Sequence, residues 1–226
     1  MTTEQLIFQF AQPATYNADD FLTADCNREA HRWITGVGAW PGHALVMHGP
    51  AFSGKTHLAH IWAAGRDAVI ADAARLEEGD VPRLAAHDVV VEMADRMASE
   101  TAMFHLYNLL REEGRKLLLL ARRPPAGWGI VLPDLASRIA ATPAVAIGDP
   151  DAELVPPLLV KLCRDRQLTI PPEVAVFLAP RLERSFSRIA ETVEKLDQLS
   201  MRHGKRVTVP LARQVLQQTE PSSFDV

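Results

Sequence analysis

Short apolar runs alternate with helix-like stretches over the first two thirds of the chain. Helical patterns lie between several of these runs, notably at Lys55–Ala64 and Ser99–Glu113, and a first helix is predicted from Asn27 to about Val37. Strands that alternate with helices usually pair in parallel, with helices on both faces of the sheet. The pattern therefore predicts an α/β fold with a parallel five-stranded sheet, whose strands are Ala44–Met47, Ala68–Ala71, Asp88–Met93, Lys116–Ala121 and Ala144–Ile147.

The pattern changes at Gly148-Asp149-Pro150, after which only helical periodicity is present. Pro171-Pro172 and Pro210 stand at predicted first turns, where proline is tolerated. The predicted helices are Asp151–Gln167, Pro172–Arg181, Ser185–Arg202 and Pro210–Gln218. We therefore expect three parts: a flexible N-terminal segment at 1–15, an α/β domain at 16–148 and a small helical lid domain at 149–226.

The composition is that of an ordinary soluble protein. The chain has 226 residues, 47% of them hydrophobic and 23% charged, and a net charge of −4, which argues against nucleic-acid binding as its main activity. Two cysteines suit a reducing compartment, no apolar run has transmembrane length, and Glu4 stands where a signal peptide would be basic. These features predict a cytoplasmic protein with no membrane partner.

The first predicted strand is followed by a phosphate-binding pattern. Backbone N–H groups of such a loop surround phosphates, its lysine supplies a charge, and its threonine supplies a hydroxyl to Mg²⁺. The strand before the loop and the helix after it are the setting that this motif requires. We therefore predict ADP or ATP with Mg²⁺ as ligands of the motif G-x-x-x-x-G-K-T, which is made by Gly49, Pro50, Ala51, Phe52, Ser53, Gly54, Lys55 and Thr56.

A carboxylate at the end of a neighbouring strand is the second requirement of this chemistry. Glu92 ends the run Asp88–Met93 and is predicted to help hold Mg²⁺, although a solvated strand-end residue is the alternative. Met93 stands where many such ATPases have a second carboxylate, and Asp95 is the nearest substitute. The sequence therefore predicts a protein that binds nucleotide well and hydrolyses it poorly.

Four segments together resemble the AAA+ ATPases, within them the DnaA family, and most closely the Hda-type regulators that inactivate the initiator. The most specific segment contains R-P-P followed by L-P-D-L-A-S-R. The four segments are YNADDFLTADCNREAHRWI at 16–34, GPAFSGKTHLAHIW at 49–62, LLLLARRPPAGWGIVLPDLASRIA at 117–140 and LERSFSRIAETVEKLDQLS at 182–200. The family's initiators continue into a helix-turn-helix domain, whereas this chain ends at Val226, so we expect no sequence-specific DNA binding.

The resemblance implies roles for individual residues. Arg138 matches an arginine finger that acts on a partner's nucleotide, with pairing to Asp134 as the alternative. His57 belongs to the nucleotide site. Arg188 matches the sensor arginine of the lid, and a surface salt bridge with Glu183 or Glu191 is its alternative. Arg122 replaces the polar or acidic residue that the family usually has before R-P-P, which weakens the case for efficient hydrolysis in the same direction as Met93.

The N-terminal segment Q-L-x-F-x-F looks like the peptide that binds the bacterial sliding clamp. Its candidate contacts are Gln5, Leu6, Phe8 and Phe10. A glutamine amide suits a small polar subsite, and the apolar side chains suit a hydrophobic pocket. An edge strand is the alternative, and a homodimer formed by pairing of these strands between copies stays open.

These inferences predict a negative regulator of replication initiation that binds adenine nucleotide, docks on the DNA-loaded clamp and promotes hydrolysis of ATP held by the initiator DnaA. Two alternatives remain: a self-sufficient AAA+ ATPase that remodels a replication partner, and a non-catalytic adaptor between clamp and initiator.

Overall fold

The structure is a computed structural model that describes residues 16–36, 40–203 and 206–219. The strands in that part of the chain are β1 Ala44–His48, β2 Ala68–Asp72, β3 Asp88–Glu92, β4 Leu117–Ala121 and β5 Ala144–Ala146. The α-helices are α1 Arg28–Ile34, α2 Lys55–Ala63, α3 Val81–Leu84, α4 Glu100–Glu112, α5 Pro133–Ala141, α6 Val155–Asp165, α7 Pro172–Leu178, α8 Phe186–His203 and α9 Val209–Thr219.

The five strands form one parallel sheet in the order β2-β3-β4-β1-β5, which confirms the predicted fold class. In the register of the central strands, Val46 of β1 lies opposite Leu119 of β4 and Ala144 of β5. Strands buried on both faces favour continuous runs of apolar residues, and β4 is buried along its whole length. The segment DVVVE of β3 has the same character at its three central valines.

Alternate residues of the strands enter two separate hydrophobic clusters, one on each face of the sheet. Val46, Val89 and Leu119 pack on the face covered by α3, α4 and α5. Met47 and Leu118 pack on the opposite face with residues of α1 and α2. Strands β1, β3 and β4 therefore contribute alternate positions to different layers, as a sheet covered on both sides requires.

The helices after β5 have a hydrophobic cluster of their own. Leu159, Leu178, Val193 and Val215 are fully buried in it, and they come from α6, α7, α8 and α9 respectively. Leu154 and Phe186 instead pack into the cluster that contains α1 and α2. The helical lid is thus a packed unit that also contacts the α/β part of the chain.

Several predicted helix boundaries differ from the observed ones, and at α1 and α6 the reasons are local. Helix α1 ends at Ile34 and not near Val37, and Gly36 has a left-handed φ of 84° just after its end. Helix α6 begins at Val155 and not at Asp151, because the Asp151 carboxylate accepts a hydrogen bond from the Leu154 N–H and holds a turn there.

Two helices were absent from the sequence prediction. Helix α3 has four residues, too few to show periodicity, and α5 has nine residues with only Leu135 and Ile139 buried. Proline at the first helical position of α5 is a start signal, and those two residues are four apart, so both signals are present but weak. The segment Gln5–Phe10 lies outside the described residues, and its clamp role stays a prediction.

Candidate functional site

The phosphate-binding motif follows β1 at the carboxyl edge of the sheet and leads directly into α2. Strand β1 lies between β4 and β5, while the next strand in the chain, β2, forms the far edge beyond β3. The strand that follows β1 in the chain therefore lies on one side of β1, and β5 lies on the other side. The carboxyl end of β1 is thus a topological switch point of the sheet. In open parallel sheets ligands bind at the carboxyl ends of strands at such a point.

The glycines of the loop are required by close approach and by backbone conformation. A Cβ atom on Gly49 would lie 2.6 Å from the carbonyl oxygen of Ile147, a contact that no side chain tolerates. Gly54 has a φ of 90°, and a Cβ there would meet the Phe21 ring at 3.0 Å. Between them Phe52, a residue that is 68% exposed, adopts a left-handed φ of 63°, which is strained for a bulky side chain.

Lys55 folds back over the loop that precedes it. Its Nζ donates to the carbonyl oxygens of Gly49 at 2.8 Å and Pro50 at 2.6 Å, and to Oγ of Ser53 at 3.3 Å. Burial and the neighbouring Arg122 guanidinium lower the pKa of Lys55 to about 8, against the opposing effect of Asp95 and Glu92. The loop, the lysine and these acidic groups therefore form one connected electrostatic environment.

The structure brings together the two predicted oxygen ligands of Mg²⁺. Thr56 donates from Oγ1 to Oε1 of Glu92 at 2.7 Å, across 36 positions of sequence. A hydroxyl and a carboxylate are oxygen ligands of the kind that Mg²⁺ prefers alongside nucleotide phosphates and water. The pair fits the ion that the motif implies.

The residues after Glu92 are poorly placed to activate water. Met93 has a left-handed φ of 53°, and the residue is 38% exposed. The Asp95 side chain is almost fully buried and pairs with Nε of Arg123 at 3.5 Å. Because its carboxylate is committed to that guanidinium, the structure does not favour Asp95 as the residue that orients an attacking water.

Aromatic and imidazole rings from residues 16–21 and from α2 cluster beside the loop. The His57 ring contacts Tyr16 and Phe21 edge-on, and its Nε2 lies 2.8 Å from the carbonyl oxygen of Asn17. His60 stacks on Tyr16 with ring centroids 3.9 Å apart. Sequence reasoning identified His57 but missed His60, because its position one helical turn after Thr56 becomes informative only when Tyr16 is seen against it.

Arg188 is engaged with its own helix and the turn before it. Its guanidinium lies 3.2 Å from Oε2 of Glu191 and 3.8 Å from Oε2 of Glu183. Both acidic residues were the predicted alternative partners. The ion pairs are therefore present, and the sensor role of Arg188 stays a prediction.

Arg138 is held on aromatic rings. Its guanidinium carbon lies 5.1 Å from the centroid of Phe104 and 5.9 Å from that of Tyr107. No ion pair links it to Asp134 or to another carboxylate within the described part of the chain. The same side chain borders a surface pocket of about 410 Å³, which is lined also by Val81 and by five residues of α4 between His105 and Glu112.

The described residues lack two kinds of site. None of their helices has the length and apolarity needed to cross a bilayer. No group of three or more histidine, cysteine, aspartate or glutamate side chains among them is arranged to hold a metal ion.

Comparison with known proteins gives a specific match in the helical region. Residues 156–216 match the family model described as "Hda, lid domain". These residues cover most of α6 through α9, whose shared hydrophobic cluster is described above.

Solved structures with a similar fold cover the α/β part and the lid together. Domain III of DnaA from Thermotoga maritima superposes with a TM-score of 0.75 at 18% identity, covering 92% of this chain and 98% of that one. The AMPPCP-bound DnaA from Aquifex aeolicus gives 0.65 at 17% identity, with 87% and 68% covered.

The Thermotoga maritima RuvB branch migration motor gives a TM-score of 0.66 at 14% identity, with 91% of this chain and 72% of that chain covered. At such identities the structural likeness shows the fold alone. The lid match adds the specific relationship. This chain therefore combines the fold of these DnaA structures with a lid that matches the Hda family.

Proposed function

We propose that the protein is a negative regulator of replication initiation that promotes hydrolysis of ATP bound to the initiator DnaA. The match of the lid to the Hda family supports regulation of DnaA. The finer proposal is that Arg138 acts in trans, as an arginine finger that reaches the initiator's nucleotide. A guanidinium in that position stabilises the charge that develops on the transferred phosphate.

The observation that carries this proposal is the environment of Arg138. Within the described residues its guanidinium has no carboxylate partner and rests on Phe104 and Tyr107 beside an open pocket. Arg188 and Arg123, in contrast, are both neutralised by acidic side chains. An arginine that is held on rings keeps its five N–H donors available for an incoming phosphate.

The protein's own nucleotide is proposed to be ADP or ATP, held with Mg²⁺ in the loop Gly49–Thr56. The close packing at Gly49, the Lys55 ammonium and the Thr56–Glu92 pair all suit phosphates and Mg²⁺ at this edge of the sheet. The DnaA of Aquifex aeolicus with the same fold binds AMPPCP. We propose further that Arg188 exchanges its glutamate partners for the phosphates of this nucleotide.

Hydrolysis of that nucleotide by the protein alone is expected to be slow. Met93 cannot orient water, and Asp95 is committed to Arg123. This arrangement argues against a self-sufficient remodelling ATPase. The bound nucleotide would then brace the sheet against the lid and set the shape of the subunit.

The clamp is proposed as the second partner, through Gln5, Leu6, Phe8 and Phe10. These residues lie outside the described part of the chain, so this step depends on the sequence alone. A chain with the quadruple substitution of these residues to alanine should lose stimulation on clamp-loaded DNA. If that variant stimulates as well as the unaltered protein, the clamp role is wrong.

The main test is ATP turnover by the ATP-bound initiator in the presence of clamp-loaded DNA. Arg138→Ala should abolish stimulation, while its nucleotide affinity and thermal stability stay near those of the unaltered chain. Asp134→Asn is the matched control, since it changes an exposed residue four positions earlier on α5 and should stimulate normally. Full stimulation by Arg138→Ala would leave the non-catalytic adaptor as the better account.

A further inference from the structure

The helix that carries Arg138 is fixed at its N-terminal end by a carboxylate of α4. The Glu100 side chain accepts hydrogen bonds from the backbone N–H of Val131 at 2.9 and 3.1 Å and from that of Leu132 at 2.6 Å. Leu132 is the capping residue of α5. One side chain of α4 therefore sets the path by which the backbone enters the arginine helix.

The C-terminal end of the same helix is fixed by α4 as well. The Thr142 hydroxyl donates to the carbonyl oxygen of Arg138 at 2.8 Å and lies 3.2 Å from the buried Tyr107 hydroxyl. The Tyr107 ring also faces the Arg138 guanidinium. Tyr107 thus reaches both the backbone and the side chain of the arginine, one through Thr142 and one directly.

These anchors matter because α5 has little else to fix its position. It is nine residues long, and only Leu135 and Ile139 are buried. A helix of that length is marginal by itself and takes its orientation from tertiary contacts. Because the guanidinium lies at the end of a long side chain, a small rotation of α5 would move it away from its working position. Misplacement of a catalytic group by about 1 Å can lower the rate on the order of 100-fold.

We infer that Glu100 and Tyr107 are positioning residues, which hold the arginine helix so that Arg138 meets the partner's nucleotide in a productive geometry. The inference rests on the proposed function, because it assigns these residues a task only if Arg138 acts in trans. Because the two residues set the geometry of the assembled complex, their loss should lower the maximal rate more than the affinity of the complex.

The test compares Glu100→Ala, Glu100→Gln and Tyr107→Phe in the stimulated ATPase assay across a range of protein concentrations. Glu100→Ala should lower the maximal rate at least about tenfold while the half-saturating concentration changes by less than about twofold. Glu100→Gln retains one acceptor oxygen and should fall between Glu100→Ala and the unaltered chain. Tyr107→Phe keeps the ring, loses the hydroxyl, and should lower the maximal rate severalfold.

Amide hydrogen exchange at Val131 and Leu132 is the second readout, because it reports the anchor independently of turnover. Exchange there should accelerate in Glu100→Ala and not in Asp134→Asn, which removes a carboxylate from the first turn of the same helix. Accelerated exchange with an unchanged maximal rate would overturn the positioning role. An increase in the half-saturating concentration with an unchanged maximal rate would overturn the positioning role as well.

Arg138→Ala separates failure of this inference from failure of the proposed function. If Arg138→Ala stimulates fully, the finger assignment is wrong and the positioning role falls with it. If Arg138→Ala is inactive while Glu100→Ala and Tyr107→Phe keep the full maximal rate, the finger stands and only the positioning role is wrong.

Discussion

Thr56 and Glu92, which are 36 residues apart, are joined by a 2.7 Å hydrogen bond at the carboxyl edge of the sheet. This contact links the end of the phosphate-binding loop to the end of β3. We propose that this hydroxyl and this carboxylate hold Mg²⁺ beside the phosphates of a bound nucleotide.

Replacement of Glu92 by glutamine should therefore weaken the Mg²⁺-dependent part of nucleotide binding. The amide keeps an oxygen for the Thr56 hydroxyl but loses the charge that attracts the cation. We expect affinity for ADP to fall about tenfold in Mg²⁺ and to stay unchanged in excess EDTA, as measured by titration calorimetry. Asp72→Asn is the control, because Asp72 ends the neighbouring strand opposite Glu92 in register. Equal losses in the two variants would contradict a specific metal role.

Nucleotide binding should depend on pH through Lys55. Burial and Arg122 lower the pKa of Lys55 from 10.5 to about 8, so without nucleotide the ammonium is lost as the pH rises through about 8. Phosphates favour the charged form, so affinity should be constant below about pH 8 and decline above it, with proton uptake on binding. Lys55→Arg should bind with little change between pH 7 and 10, since guanidinium stays charged. If the nucleotide affinity of Lys55→Arg declined over the same pH range, deprotonation of Lys55 would not be the cause.

The same pKa shift has a defined sign for stability. In the unfolded chain Lys55 keeps its proton up to about pH 10.5. Between about pH 8 and 10.5 the unfolded state therefore binds more protons than the ligand-free folded state, and the contribution of this group to stability rises with pH. The unaltered chain should show this rise relative to Lys55→Arg in urea unfolding at pH 7.5 and 9.5.

Gly49→Ala should destabilise the protein even without nucleotide. The added methyl group would meet the Ile147 carbonyl oxygen at 2.6 Å, so β1 and the segment after β5 must move apart. We expect a loss of about 1–3 kcal/mol in the free energy of unfolding. Gly127→Ala is the matched control, since its Cβ would find only Arg123 side-chain atoms, at 3.7 Å or more. Urea unfolding that gives equal stability for the two variants would show that the close approach is unimportant.

Arg188 is paired with Glu183 and Glu191, and two outcomes separate a sensor from a surface ion pair. If it contacts nucleotide, Arg188→Ala should weaken binding about tenfold, the loss expected for one charge-assisted hydrogen bond. The double variant Glu183→Gln, Glu191→Gln should then bind at least as tightly as the unaltered chain, because the guanidinium is released. If Arg188→Ala binds nucleotide normally, its partners are only the two glutamates.

The sequence allows the sheet to be predicted because its strands are nearly continuous apolar runs. Val89–Val91 and Leu117–Leu120 can be placed by composition alone, and the phosphate motif between a strand and a helix can be placed by its spacing. Helix α5 is harder, since its apolar face consists of Leu135 and Ile139 and its start is a proline. Short helices that depend on tertiary contacts leave a weak periodic signal.

The contacts that surround the candidate site are mostly beyond sequence reasoning. Three of these contacts join segments whose proximity depends on how the helices pack. They are Glu100 with Leu132, Arg138 with Phe104, and Asp95 with Arg123. The sequence identifies Arg138 through a family resemblance, but it does not show that aromatic rings hold it. It offers Asp95 as a substitute base, and only the packing shows its commitment to Arg123.

We propose that the important hydrolysis takes place on the partner's nucleotide and requires Arg138. The most direct measurement loads labelled ATP on the initiator in one reaction and on this protein in another, then follows phosphate release after the two are mixed with clamp-loaded DNA. We expect rapid phosphate release from initiator-loaded ATP and slow release from ATP on this protein. In Arg138→Ala the rapid phase should slow by about 1,000-fold or more. Rapid release from ATP loaded on this protein, or an undiminished rapid phase in Arg138→Ala, would contradict it.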